Sequence, residues 1–191
     1  MKNKKVVLFL LLCFTAIGSS FTLSNKNAEK KSEEAIAPKI NWVSMEEAVE
    51  LQKTEPKLIL VDVYMNNCPY CTKMDKSTFG HPKVREYINK HFYAVKFNAF
   101  TNQKIKIGGR EYKADKKSQY RNHELASYLL RGNMQFPSTV FIEENFKPIN
   151  SIGGYLDASE FDQVMRYYGG GFYKKISWGI YMRNTKSRIS K

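Results

Sequence analysis

Two cysteines three residues apart, Cys68 and Cys71, enclose Pro69 and Tyr70. They follow a run of apolar residues and stand where proline opens a helix, since the N–H that proline lacks has no partner in a first turn. Free N–H groups and the positive end of the helix dipole gather there, and both stabilise a thiolate. Cys68 is therefore expected to have a lowered pKa and to be the nucleophile. Cys71 lies about one turn on, faces the same side, and can attack a mixed disulfide on Cys68 to release the partner. Two other readings stand beside redox chemistry. A structural disulfide closing so small a loop gains roughly 2 kcal/mol in the chain-entropy model, a weak reason for the pair. A metal site needs two more ligands, and His81, His91 and His123 include no closely spaced pair.

Asp62 sits six residues before Cys68, between Val61 and Val63. Burying it ionised is costly, so its pKa is expected to rise. It is either a proton acceptor near Cys71 or an acid facing solvent at a strand end.

The elements that must position these groups are legible in the pattern. Ser44 with Glu47 caps a helix from Met45 to about Lys53. Leu58 to Tyr64 is apolar and rich in β-branched residues, a strand buried on both faces. Asn66-Asn67 breaks it, and a helix opens at Cys68 or Pro69. His81-Pro82 starts another, to about His91, and Phe92 to Asn98 is a second strand. Residues 104–113 predict a small, very basic, exposed hairpin turning at Gly108-Gly109. Asn122 to Leu130 is expected to be helical, and Ser138 to Ile142 and Pro148 to Ile152 to be strands. Asp157 with Glu160 caps a last helix, Ala158 to about Tyr168. Gly169-Gly170-Gly171 is expected to end the globular part, with Ser177 to Tyr181 docking as a short helix and 183–191 a basic tail. The order implies an α/β fold, a central mixed sheet flanked by helices.

The N-terminus reads as an address. Three lysines in residues 2–5, an apolar run from Val6 to Ile17 and small residues from Gly18 are the parts of a secretory signal peptide, 1–18. A short buried helix, a membrane anchor and a lipid-modified Cys13 are the other readings. Residues 19–40 read as a flexible polar tether. Cleavage removes three lysines, leaving 28 basic and 18 acidic side chains, or +10, with Cys68 and Cys71 as the remaining cysteines. The expected location is periplasmic or otherwise outside the cytoplasm, where disulfides persist.

These residues together resemble the thioredoxin superfamily. The resemblance runs over roughly 42–168, with 41–168 as the domain and 169–191 as a glycine-hinged basic extension. It is carried by Leu58 to Tyr64, Asp62 at the buried-acid position, Cys68-Pro69-Tyr70-Cys71, Phe136-Pro137-Ser138-Thr139-Val140-Phe141, and Gly153-Gly154. Met74-Asp75 and Phe79 look most like secreted bacterial thioredoxin-like proteins. The resemblance implies that Pro137 is cis and packs on the cysteines, that its loop pairs with a substrate strand, and that it keeps metals away. Pro69, Tyr70, Phe136 and Ser138 are then expected to contact substrate. Asn67 stands where thioredoxins have Trp, and Pro69-Tyr70 is the dipeptide usual in glutaredoxins. Cys71 and Pro137 are 66 residues apart, longer than usual. The extra length is the basic hairpin and the helix containing His123, an insertion before the proline loop.

With 191 residues, 42% apolar and 14% aromatic, the chain suits one domain with appendages and excludes wholesale disorder. Three cysteines are too few for a disulfide scaffold. The lysines are scattered and carry no recognition motif, so nucleic acid is not the expected partner. The densest basic patch, 104–113 with Lys116-Lys117, is a candidate partner contact. The expected function is a thiol–disulfide oxidoreductase acting on protein disulfides, without a cofactor, a reductase ahead of an oxidase or isomerase. A membrane electron donor or acceptor is the expected second partner, and membrane association could come through an uncleaved or lipidated N-terminus. The alternatives are a non-catalytic binding module and a metal carrier, for copper, using the cysteine pair.

Overall fold

Alternation of apolar side chains along the central strands assigns every neighbouring element to one face or the other. The computed structural model describes residues 38–117 and 121–189. The expected signal segment, Cys13 and most of the tether lie outside them. The elements in chain order are β1 (Trp42–Val43), α1 (Met45–Thr54), β2 (Leu58–Tyr64), α2 (Pro69–Ser77), α3 (Pro82–His91), β3 (Phe92–Asn98), β4 (Ile105–Ile107) and β5 (Arg110–Tyr112). Then come α4 (Glu124–Leu130), β6 (Ser138–Ile142), β7 (Pro148–Gly153), α5 (Ala158–Gly169), a short 3₁₀ turn (Phe172–Lys174) and α6 (Trp178–Asn184).

The five-stranded sheet has the order β1-β3-β2-β6-β7. β1, β3 and β2 are parallel, while β6 and β7 are antiparallel to their neighbours. Ile59, Val61 and Val63 of β2 face a core built with α1, α4 and the β4–β5 hairpin. Leu60 faces the other core, with Met74 and Phe79 from α2 and its exit, Ile88 of α3, and Phe161 and Met165 of α5. Period-two alternation puts Asp62 on that second face with Leu60. The sheet is thus mixed and covered by helices on both faces, as the order of elements required.

Helix starts follow their caps. The Ser44 hydroxyl accepts from the Glu47 N–H, and Asp157 with Glu160 forms a reciprocal capping box. The helix expected from Asn122 begins two residues later, at Glu124. His123 is its cap: its Nδ1 accepts from the Leu125 N–H, while Nε2 faces the Gln103 carbonyl at 2.9 Å. The hairpin differs from the exposed one expected. Ile105, Ile107 and Tyr112 are buried in the first core, while the charged residues Lys104, Lys106, Arg110, Glu111 and Lys113 and the turn glycines face solvent. The alternation of Lys104 to Ile107 is plain in the sequence; that its apolar side packs on the core is not.

Residues beyond the triple glycine are packed. Gly169 closes α5 against Phe92, where a Cβ would stand 2.7 Å from the ring, and Gly171 turns with φ 70°. Tyr181 and Ile189 are buried in the second core. Asp162, fully buried, binds Arg166 at 2.6 Å and accepts from the backbone N–H of Arg188 at 2.8 Å. The expected tail is therefore strapped down as far as Ile189. At the other end, Ile40 is buried rather than part of a tether, because Asn89 hydrogen-bonds the backbone of Lys39 and Asn41.

Candidate active site

β2 leads into the cysteines through Asn66 and Asn67. Asn67 has φ 55°, a left-handed conformation that asparagine tolerates and a bulky side chain does not. The Asn66 carboxamide oxygen accepts from Asn98 at the end of β3, fixing the turn. Cys68 is the N-cap of α2, with Pro69 at the first helical position. Its sulfur lies 3.1 Å from the Cys71 N–H, an orphan donor of the first turn aimed at sulfur. Cys68 and Cys71 form a disulfide with Cα atoms 5.2 Å apart. Both cysteines are buried, while Pro69 and Tyr70 are exposed, Tyr70 at 62%.

Asp62 is buried, so the reading in which it faces solvent is excluded. Burial pushes its carboxyl from 3.8 up to about 6; Lys96 opposes that rise and Asp75 adds to it. Lys96 is the register partner of Asp62 on β3, with Nζ 3.5 Å from the carboxylate. It also pairs with Asp75 on α2, and lies 5.5 Å and 5.4 Å from the ring centroids of Trp42 and Tyr64. One ammonium is thus shared between a buried acid and a half-exposed one under two aromatic faces. Such a carboxylate is mostly ionised at physiological pH, yet its pKa lies close enough to exchange a proton there.

The Phe136–Pro137 bond is cis. Pro137 precedes β6, whose Ser138 and Thr139 are opposite Val63 and Asp62 of β2. The Pro137 carbonyl accepts from the Gly154 N–H at 2.7 Å. A Cβ at Gly153 would meet the Gln135 carboxamide at 2.5 Å, so the glycine pair admits the loop beside it. Ser138 is the expected substrate contact that turns inward: it is buried and its hydroxyl donates to the Gln135 carbonyl. Phe136 lies against Phe100 with ring centroids 5.8 Å apart. These two, with Met65, Gly132, Asn133 and Met134, line a groove of 630 Å³ between the end of β2 and the proline loop.

Lys96 as the partner of Asp62 was not singled out from the sequence. Its signal was present: like Asp62, it is a charge inside an apolar strand, Phe92 to Phe97. Phe100 and Met134 come from segments that are irregular in sequence, and nothing in their spacing marked them.

The sequence matches the thioredoxin-like domain family over residues 45–169. A thioredoxin from Thermus thermophilus is 18% identical, with a TM-score of 0.52, over 71% of this chain and 94% of that one. A thioredoxin-fold protein from Helicobacter pylori is 18% identical, with a TM-score of 0.50, over 83% and 91%. At these identities the likeness is one of fold. No curated protein matches the chain.

Proposed function

From the premise that this chain belongs to the thioredoxin-like domain family, we propose that it is a disulfide oxidoreductase that reduces protein disulfides outside the cytoplasm. The single observation that carries the reading is the Cys68–Cys71 disulfide at the start of α2, with a backbone N–H directed at the Cys68 sulfur.

In the reduced protein, the Cys68 thiolate attacks one sulfur of a substrate disulfide. That S–S bond breaks, a mixed disulfide forms, and the first substrate thiolate leaves. Cys71 then loses its proton and attacks the Cys68 sulfur. The Cys68–Cys71 disulfide forms and the second substrate thiolate leaves, so two electrons have passed to the substrate. Asp62 accepts the Cys71 proton. Its carboxyl, pushed up to about 6, is mostly ionised at neutral pH yet basic enough to take a proton. Lys96 and Asp75 are positioning residues that set that balance.

Pro137 and the backbone of Phe136 hold the substrate strand beside the cysteines, with Pro69 and Tyr70 on the opposite rim and Ser138 bracing the loop from behind. The apolar groove of Met65, Phe100, Met134 and Phe136 takes an apolar side chain near the substrate cysteine. The outside location rests on the charged, apolar and small-residue order of residues 2–20, and continued turnover there needs an electron donor across the membrane.

The test is a pair of single variants mixed with a disulfide-bonded protein. Cys71→Ser should accumulate a mixed disulfide on Cys68, identified by mass spectrometry, and Cys68→Ser should accumulate none. Equal trapping by both variants, or by neither, would remove Cys68 as the nucleophile.

A further inference from the structure

Four large apolar side chains at the C-terminal end face solvent: Phe172, Trp178, Ile180 and Met182, 42%, 39%, 40% and 36% exposed. They belong to a segment that is otherwise firmly held. Tyr181, buried, is the peg of the two-turn helix α6. Trp178 stacks on its ring at 5.7 Å and Phe172 packs on it at 5.2 Å. The two exposed rings therefore ride on one buried residue, and their spacing is fixed. Gly179 lies between Trp178 and Ile180 and adds no bulk to the outer surface.

The same segment is strongly cationic. Residues 172–191 contain six lysines and arginines and no acid. Lys174 also lines a cleft of 290 Å³ with Lys57, Lys90 and His91, against the single acid Glu144. Lys57 is paired with Glu55 at 2.9 Å and Lys174 lies beside Tyr173 and Glu144, yet the three lysines outnumber the acid that lines the cleft. Burial first, and then Lys90, Arg166 and Lys57, hold the His91 imidazole below its ordinary pKa, as a positive site should.

We propose that this face docks the protein on an anionic lipid surface. Phe172, Trp178, Ile180 and Met182 enter the headgroup boundary, the surrounding lysines and arginines meet the lipid charge, and the cleft accepts a phosphate headgroup. Apolar side chains with a tryptophan, in a segment that carries six cations and no acid of its own, are what an interfacial segment requires. Trp178, Ile180 and Met182 project from α6 and Phe172 from the 3₁₀ turn before it, all exposed rather than lining a groove, which suits a fluid surface better than a shaped protein partner.

The placement has a consequence for the cysteines. Leu58, at the start of β2, lines the cleft, and Cys68 lies beyond the far end of that strand. Seven strand residues span roughly 20 Å. A docked molecule holds its disulfide away from the bilayer, open to extrinsic substrates.

The experiment uses the full chain with Trp42→Phe, which leaves Trp178 as its tryptophan. Vesicles of phosphatidylcholine, with and without phosphatidylglycerol, carry brominated acyl chains. Trp178 emission should shift to the blue and be quenched on the anionic vesicles, and added salt should reverse both changes. Lys90→Gln, Lys174→Gln and Lys175→Gln should each weaken binding about fivefold. A Trp178→Phe chain, which keeps Trp42, should show no quenching. Cosedimentation with Trp178 unquenched would mean that another segment, such as the apolar run 6–17, binds instead, and would overturn the proposal. So would equal quenching on vesicles without phosphatidylglycerol. A concentration-dependent shift without vesicles would assign the face to a second copy of the chain.

Discussion

Replacing Asp62 with Asn should stabilise the protein, although it removes one partner of an ion pair. Asp62 is 3% exposed and the pKa of its carboxyl is raised from 3.8 to about 6, chiefly by burial. Lys96 does not compensate, because its charge is shared with Asp75. An acid whose folded pKa lies above its unfolded one binds its proton more tightly in the folded state. The folded state is therefore penalised where the acid is ionised, fully above pH 6, and the penalty vanishes as pH falls below 3.8. A displacement from 3.8 to about 6 corresponds to roughly 3 kcal/mol at neutral pH. Asn cannot ionise and escapes it, while Lys96 keeps Asp75. Urea unfolding of the oxidised wild type and of Asp62→Asn should be compared between pH 4 and pH 8. The variant should be more stable by about 3 kcal/mol at pH 7.5, equivalent to roughly 6–12 °C in Tm, with the two curves converging toward pH 4. A variant less stable at pH 7.5, or a gain independent of pH, would refute the reasoning: Asp62 would then be stabilised by its partners rather than strained by burial.

Three further outcomes follow from the same geometry. Asp75→Asn removes a like charge that raises the Asp62 pKa and frees Lys96 for Asp62 alone, so a carbon-13 titration of the Asp62 carboxyl should move below about 6. Gly169→Ala places a methyl 2.7 Å from the Phe92 ring and should cost about 1–3 kcal/mol in urea unfolding. Phe100→Ala strips one wall of the groove beside Phe136; it should lower kcat/KM about fivefold for disulfide peptides with an apolar neighbour, through KM, and leave polar ones unchanged.

Most of the frame could be read from sequence because its signals are local. β2 is an unbroken β-branched run, Pro69 and Pro82 open their helices at N1, and Asp157 with Glu160 fixes the start of α5. Cys68 and Cys71 announce themselves by type and spacing. What escaped was what depends on register or on distant packing. The pairing of Asp62 with Lys96 exists only once β2 and β3 align in parallel. The hairpin's alternation was legible, but its apolar side has a partner only once the core with α1 and α4 is assembled. The glycines 169–171 suggested a hinge, yet at Gly169 the absent side chain makes room for Phe92, a contact between the end of α5 and the start of β3. Likewise the strap from Asp162 to Arg188 joins residues 26 apart, with no local pattern to mark it.

The central claim is that Cys68 and Cys71 exchange electrons with other proteins' disulfides, and the reduction potential of the pair tests it most directly. The protein should be equilibrated in glutathione buffers of graded ratio and the thiols counted by alkylation and mass spectrometry. A single reversible two-electron transition near roughly −270 mV is expected of a reductase. A pair that does not cycle in the folded protein would contradict the enzyme reading, and a reversible transition near ~−120 mV would reverse the proposed direction of electron flow.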